Sequence, residues 1–131
     1  IDMGLERFLI SSSILGVLAQ RLVRKLCDTC KEEDFLAEHH LDEFDIAEDI
    51  KVYKACGCKE CNFTGYIGRV AIAELFVLND NVKNALQQNV DDEQLMRLAQ
   101  DNGMISLSSQ IKDMIKSGQT SLDEAIRIGI K

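Results

Sequence analysis

A mixed α/β fold, α+β in the balance of its elements, is predicted for this chain by three observations. Arg69-Val-Ala-Ile-Ala-Glu-Leu-Phe-Val-Leu78 is an almost unbroken apolar run behind a turn-rich stretch, the pattern of a strand covered on both faces. From residue 80 onward, apolar residues recur at helical spacing between capping residues and glycines. Ahead of that strand lie two Cys-x-x-Cys pairs, the signature of a small metal-centred subdomain.

Composition narrows the function classes. At 131 residues the chain is one domain's worth or a piece of a larger one, and 46% hydrophobic content is enough for a core. Twenty-two acidic against 15 basic residues give a net charge of −7, which argues against a broad nucleic-acid or anionic-lipid surface. No stretch reaches the ~18 consecutive apolar residues of a membrane span, and no signal peptide is visible. The chain begins with Ile, so a preceding portion is expected. Five cysteines would leave one thiol over from a disulfide framework, so a reducing compartment and a metal site are the better joint reading.

In chain order, Leu5, Phe8, Leu9, Ser12 and Leu15 suggest a helix over roughly residues 1–15, fading at Ser11-Ser12-Ser13. Residues 16–26 are ambiguous. Leu15, Leu18, Ala19, Leu22, Val23 and Leu26 suit a helix face, whereas a buried strand starting at Gly16 would also be apolar nearly throughout. Periodicity alone favours the helix. Residues 32–43 are acidic with interspersed apolar side chains and predict a short amphipathic helix that carries His39 and His40 as exposed histidines. Lys51–Ala55 reads as a short extended piece. Within the 69–78 strand Glu74 needs a partner, for which Arg21 or Arg24 is the candidate. Asp80 is a candidate cap for one helix, Asp91 or Asp92 for a second that Gly103 ends. A third carries Leu107, Ile111, Met114 and Ile115 to Gly118, and Ser121-Leu-Asp-Glu124 has the capping-box spacing for a last one. The C-terminal third is thus expected to be a helical bundle, its apolar stripes facing a core.

Cys27-Asp-Thr-Cys30 and Cys58-Lys-Glu-Cys61, with 27 residues between them, place four thiols on two tight turns. Four sulfurs fill a tetrahedral shell and leave no position for a substrate, as in structural Zn²⁺ sites. The metal ligands are therefore assigned as Cys27, Cys30, Cys58 and Cys61, with Lys25, Lys31, Lys54 and Lys59 placed to offset the thiolate charge. Cys56 could replace Cys58 in a shifted register, but only Cys58 repeats the spacing, and Cys56 reads as a buried or spare thiol. Iron in a four-sulfur cage and a redox Cys-x-x-Cys remain alternatives on spacing alone.

These residues resemble a family. The run from Phe8 through Gly16-Val-Leu-Ala-Gln-Arg-Leu-Val-Arg to Cys27-x-x-Cys30 is similar to the C-terminal part of the type II secretion ATPases. So are Gly57-Cys58-x-x-Cys61-x-x-Thr-Gly-Tyr-x-Gly-Arg69-x-Ala-Ile-x-Glu74-Leu, Gly103-Met-x-x-Leu107 and Gly118-x-Thr-Ser-x-x-Glu124. Pilus-assembly ATPases share most of these motifs, and the wording of residues 16–24 looks more like the secretion branch. The resemblance implies a homo-hexameric, RecA-like motor, cytoplasmic and held at the inner membrane by secretion or pilus platform proteins. It implies that 17–26 is a late strand of the core sheet, against the periodicity. It also implies a division into residues 1–26 (end of the ATPase core), 27–61 (tetracysteine zinc subdomain) and 62–131 (a strand and C-terminal helices). Arg21, Arg24 and Arg69 could then reach nucleotide across a subunit boundary, although structural pairing with carboxylates is the plainer reading.

No Gly-x-x-x-x-Gly-Lys-[Ser/Thr] phosphate loop occurs in the sequence. ATP and Mg²⁺ are accordingly expected in the parent protein only. The chain itself is read as a structural and docking module with no catalytic residue and no nucleic-acid partner. The alternatives are a type IV pilus ATPase fragment and a free-standing zinc-ribbon interaction module.

Overall fold

The computed structural model describes residues 4–34, 44–47 and 50–130. They are mixed helix and strand, with two small two-stranded sheets. The chain divides into two compact units, one of Ile1–Ala19 with Ala73–Ser106, the other of Gln20–Ile72 with Leu107–Lys131. Two long strands, β1 (Gly16–Leu26) and β4 (Tyr66–Val77), pair with each other and run through both units. The Leu78 N–H donates to the Leu15 carbonyl (3.0 Å) and the Cys27 N–H to the Gly65 carbonyl (2.9 Å). The start of one strand thus meets the end of the other, and the pair is antiparallel.

β1 settles the ambiguity of residues 16–26 in favour of a strand. Its leucines satisfy a helical period because apolar residues fall on both strand faces, and the ladder with β4 decides between the two readings. Of the helix expected over 32–43, only residues 32–34 lie within the described residues. Glu32–Glu33 instead form β2, paired antiparallel with β3 (Tyr53–Lys54) in the register Glu32 opposite Lys54 and Glu33 opposite Tyr53. Opposite charges across that ladder, and an ion pair from Lys51 to Glu33 (3.1 Å), favour this pairing. Residues 35–43, with His39 and His40, lie outside the described residues.

In the first unit α1 (Arg7–Ser13) lies against α2 (Asp80–Gln87), which in turn meets α3 (Asp92–Asp101). The serine run belongs to α1: Ser11 and Ser12 turn their hydroxyls back to the Phe8 and Leu9 carbonyls (3.0 and 3.2 Å). α2 is capped by Asn79, which accepts from the Val82 N–H (3.0 Å), and Asp80 is its first helical residue rather than its cap. Of the two candidates for α3, Asp91 is the cap (2.7 Å from the Gln94 N). Leu78, Val82 and Ala99 are buried here.

The second unit holds the cysteine turns, the β2–β3 sheet, α4 (Leu107–Lys116) and α5 (Leu122–Arg127). Its buried side chains come from the two long strands, the two helices and the connecting segments: Val23 and Leu26, Phe44 and Ile46, Val52, Ile72, then Ile111, Ile115, Leu122 and Ala125. α4 shows its stripe at the expected spacing, and Gly118 follows it at φ +69°, a conformation that ends helices and favours glycine. Among the described residues no helix is long and apolar enough to cross a membrane.

Candidate metal centre

The first cysteine turn directly follows β1 and the second leads into β4. Cys30 and Lys31 donate their N–H groups to the Cys27 carbonyl (3.3 and 3.0 Å), which closes the first turn on itself. In the second, the Phe63 N–H reaches the Cys58 carbonyl (2.8 Å) and the Thr64 N–H the Cys61 carbonyl (3.1 Å). Asn62 and Phe63 adopt positive φ there (52° and 62°), so the turn carries local strain that its surroundings hold in place.

The two turns bring the sulfurs of Cys27, Cys30, Cys58 and Cys61 within 4.8 Å of one another. Sulfur–sulfur separations are 3.8 Å for Cys27–Cys58, 3.8 Å for Cys30–Cys61 and 3.7 Å for Cys58–Cys61. Sulfurs of a regular tetrahedron around a metal at about 2.3 Å stand about 3.8 Å apart. The donor set therefore fits a four-sulfur metal ion, and the group could hold one. Cys56 is exposed and stands outside this group.

Backbone amides complete the cage. The Gly57 N–H donates to Cys30 Sγ (3.2 Å), and the N–H groups of Cys58 and Gly65 donate to Cys61 Sγ (3.1 and 3.2 Å). These contacts demand close approach. A Cβ on Gly57 (φ +116°) would stand 2.8 Å from the Phe63 carbonyl oxygen, and one on Gly65 (φ +78°) 2.5 Å from Ala55 Cβ. The amides also polarise the sulfurs unequally. Burial works against charging Cys61, but the Cys58 and Gly65 amides overcome it and bring the thiol down to about 6. At Cys30 burial wins, and with the neighbouring thiols it pushes the group up to about 12. Without a cation Cys61 favours the thiolate and Cys30 the thiol, whereas a bound metal would take the place of the protons.

Of the lysines expected to offset thiolate charge, Lys31 donates to Asp28 Oδ1 (2.7 Å) and to the Gly118 carbonyl (3.0 Å). It thereby ties the first cysteine turn to the α4–α5 turn. The Leu26 N–H adds a bond to the Gln119 carbonyl (2.8 Å), and the Thr120 hydroxyl donates to the Arg24 carbonyl (2.8 Å).

Glu124 is the residue whose role the sequence concealed. Its N–H takes the Ser121 cap as the box predicts (3.2 Å), but its side chain does not reach back to the cap. The carboxylate is fully buried and accepts from the Arg24 backbone N–H (2.9 Å), Arg24 Nε (2.8 Å) and Arg127 Nε (2.7 Å). Ion pairs to the terminal nitrogens of Arg24 (2.7 Å) and Arg127 (2.6 Å) complete it. Burial opposes its charge, yet the Arg127 and Arg24 bonds bring it down to about 2. Arg24 also stacks 4.2 Å from the Tyr66 ring centre, and the Tyr66 hydroxyl bonds that of Ser121 (2.8 Å). Arg24, a candidate partner of Glu74, is thus committed to Glu124. The separation of 100 residues hid this pair; nothing local signals it.

Comparison with known proteins gives a consistent result. A profile of the family described as "Type II/IV secretion system protein" matches residues 1–127. The chain is similar to the "Type II secretion system protein HxcR" of Pseudomonas aeruginosa, 40% identical over 98% of the chain and 24% of that protein. It is 41% identical to the "Type II secretion system ATPase E" of Vibrio cholerae, over 97% of the chain and 25% of that protein. To the "Type II secretion system protein E" of Aeromonas hydrophila it is 40% identical, with 97% and 26% covered. The chain spans about a quarter of the length of these relatives. A match along nearly all of its residues, joined to the four-sulfur group, makes the chain a member of the type II/IV secretion system protein family, of the type II secretion ATPase E kind.

Proposed function

We propose that this chain is the C-terminal, zinc-containing part of a hexameric cytoplasmic motor ATPase that drives pseudopilus assembly for type II protein secretion. On this reading residues 1–26 end a RecA-like core, 27–61 form the zinc subdomain, and 62–131 supply a strand and the closing helices. The chain itself is a structural and docking module, and ATP and Mg²⁺ belong to the parent protein. Inner-membrane platform proteins of the secretion machinery hold the motor in place.

The observation that carries the reading is the tetrahedral spacing of four sulfurs on turns that flank β1 and β4, in a chain of this family. Zinc held by Cys27, Cys30, Cys58 and Cys61 would pin the long connection between the two strands and make a stiff projection of otherwise irregular sequence. The amides of Gly57, Cys58 and Gly65 orient the sulfurs and offset part of the −2 charge of a four-thiolate zinc site.

Metal analysis of the purified chain tests this. One zinc per chain is expected, retained in Cys56→Ser and lost in Cys58→Ser together with part of the fold. Zinc lost from the Cys56 variant and kept in the Cys58 variant would mean that the ligand register is wrong; a reducible disulfide in place of metal would replace the structural reading by a redox one. The chain has no phosphate loop, so no ATP turnover is expected from it, and turnover by the pure 131 residues would refute the assignment of catalysis to the rest of the parent.

A further inference from the structure

In the second unit a cleft of about 530 Å³ is lined by Arg21, Leu22, Arg24, Arg69, Arg127 and Ile128. Four of its six lining residues are arginines, in a chain whose net charge is −7. We infer that this cleft is an oxyanion site that takes a multiply charged phosphate group.

The charge count comes first. Glu124 is the carboxylate paired with these arginines among the described residues, and its two oxygens are already occupied by Arg24 and Arg127. It offsets one positive charge, so four guanidiniums less one carboxylate leave +3 around the cleft. Arg21 donates to the neighbouring Gln20 carbonyl (3.1 Å), and neither Arg21 nor Arg69 forms an ion pair among the described residues. Like charges gathered without neutralisation repel one another, and an anion from outside the chain would relieve that repulsion.

The scaffold is rigid and the walls are right for such a ligand. Arg21 and Arg24 stand on β1, Arg69 on β4 and Arg127 on α5. Arg24 is held between Glu124 and the Tyr66 ring, so its fork loses little freedom on binding. Leu22 and Ile128 supply apolar walls, which strengthen a field of one sign inside the cleft. Arg24 and Arg69 also line an adjoining cavity of about 300 Å³ with Thr64, Tyr66 and Gly68, so the positive surface continues beyond the first cleft. A carboxylate side chain would cancel one of the three excess charges. A phosphate-bearing anion cancels two or more, and its oxygens accept guanidinium forks in pairs. The volume is within the range of sites for small molecules. Guanidiniums open to water make such a site weak and salt-sensitive. The inference rests on these side chains and not on the metal.

Calorimetric titration of the full chain with inorganic pyrophosphate at low salt tests it, with ATP and phosphatidylglycerol vesicles as further probes. Saturable pyrophosphate binding is expected, weakened roughly tenfold in Arg69→Gln and in Arg21→Gln, each lost fork removing a charge-assisted contact. Arg97→Gln, on α3 in the other unit, should bind as the wild type does. Neither cleft substitution breaks an ion pair among the described residues, so unchanged melting separates lost binding from lost folding. ATP competing with pyrophosphate supports a soluble phosphate as the ligand; vesicle binding lost in Arg69→Gln supports a lipid phosphate at the same site. Absence of binding by all three probes overturns the proposal, as does equal weakening by Arg97→Gln. Citrate competing as well as pyrophosphate at matched charge would also overturn it, in favour of a carboxylate site.

Discussion

Replacing Glu124 with glutamine keeps the size and shape of the side chain and removes its charge, at a position with no exposure to water. The carboxylate meets two guanidiniums through both oxygens and also takes the Arg24 amide. An amide offers one oxygen in place of two and turns an NH₂ group toward a guanidinium. Removal of one partner from a buried ion pair costs about 3–5 kcal/mol. Arg24 and Arg127 keep 35% and 50% exposure and can rehydrate, which puts this case at the lower end, about 3 kcal/mol. For a chain of this size that corresponds to a melting temperature lower by roughly 12 °C. The pH dependence fixes the cause. Glu124 is lowered from its ordinary 4.5 to about 2, so its contribution is fully present above 4.5 and is lost as pH falls toward 2. Urea melts of wild type and Glu124→Gln should therefore differ most at neutral pH and converge through that acid window. Zinc would leave both proteins as the thiolates protonate, so the difference between the two is the quantity to follow. A gap under about 1 kcal/mol at pH 7, or one that stays constant down to pH 2, would refute the account of α5 as clamped to β1 by this carboxylate.

Two further substitutions probe the local structure. Gly65→Ala places a Cβ 2.5 Å from Ala55 Cβ at a φ of +78°, next to the amide that donates to Cys61, and should cost about 2–4 kcal/mol. Chelator competition should show zinc leaving this variant faster than the wild type, and equal release would mean that the second cysteine turn can shift at little cost. Asp91→Ala removes the α3 cap and should cost about 1 kcal/mol in thermal melts, whereas Asp92→Ala, one residue inside the helix, should cost a few tenths.

The sequence was most legible where chemistry is local. A helix cap needs one oxygen and an N–H three residues on, so Ser121 could be read directly and the α3 cap to within one residue, although at α2 Asn79 takes the place expected for Asp80, and a Cys-x-x-Cys turn closes on its own carbonyl. Periodicity misleads where long-range contacts outweigh it. Leu18, Leu22 and Leu26 share a helical spacing, yet residues 16–26 form a strand because their amides and carbonyls pair with residues 66–77, some fifty residues later. Val17, Leu18 and Leu22 are each more than half exposed in this chain while Val23 is fully buried, so neither a helical stripe nor a simple alternation describes the strand. Glu32 and Glu33, at the start of an expected helix, show the same limit, since the charge of Lys54 that favours their pairing lies beyond any helical window. The arginines show the same limit in the functional region. Arg21, Arg24 and Arg69 could be singled out from their segments, but that Arg24 is committed to a carboxylate a hundred residues away, while Arg21 and Arg69 keep their charge open to the cleft, is a property of the folded chain. That division of labour separates a strut from a site. The paired arginine fixes α5 against β1, and the two that form no ion pair among the described residues supply the charge that an incoming anion would meet.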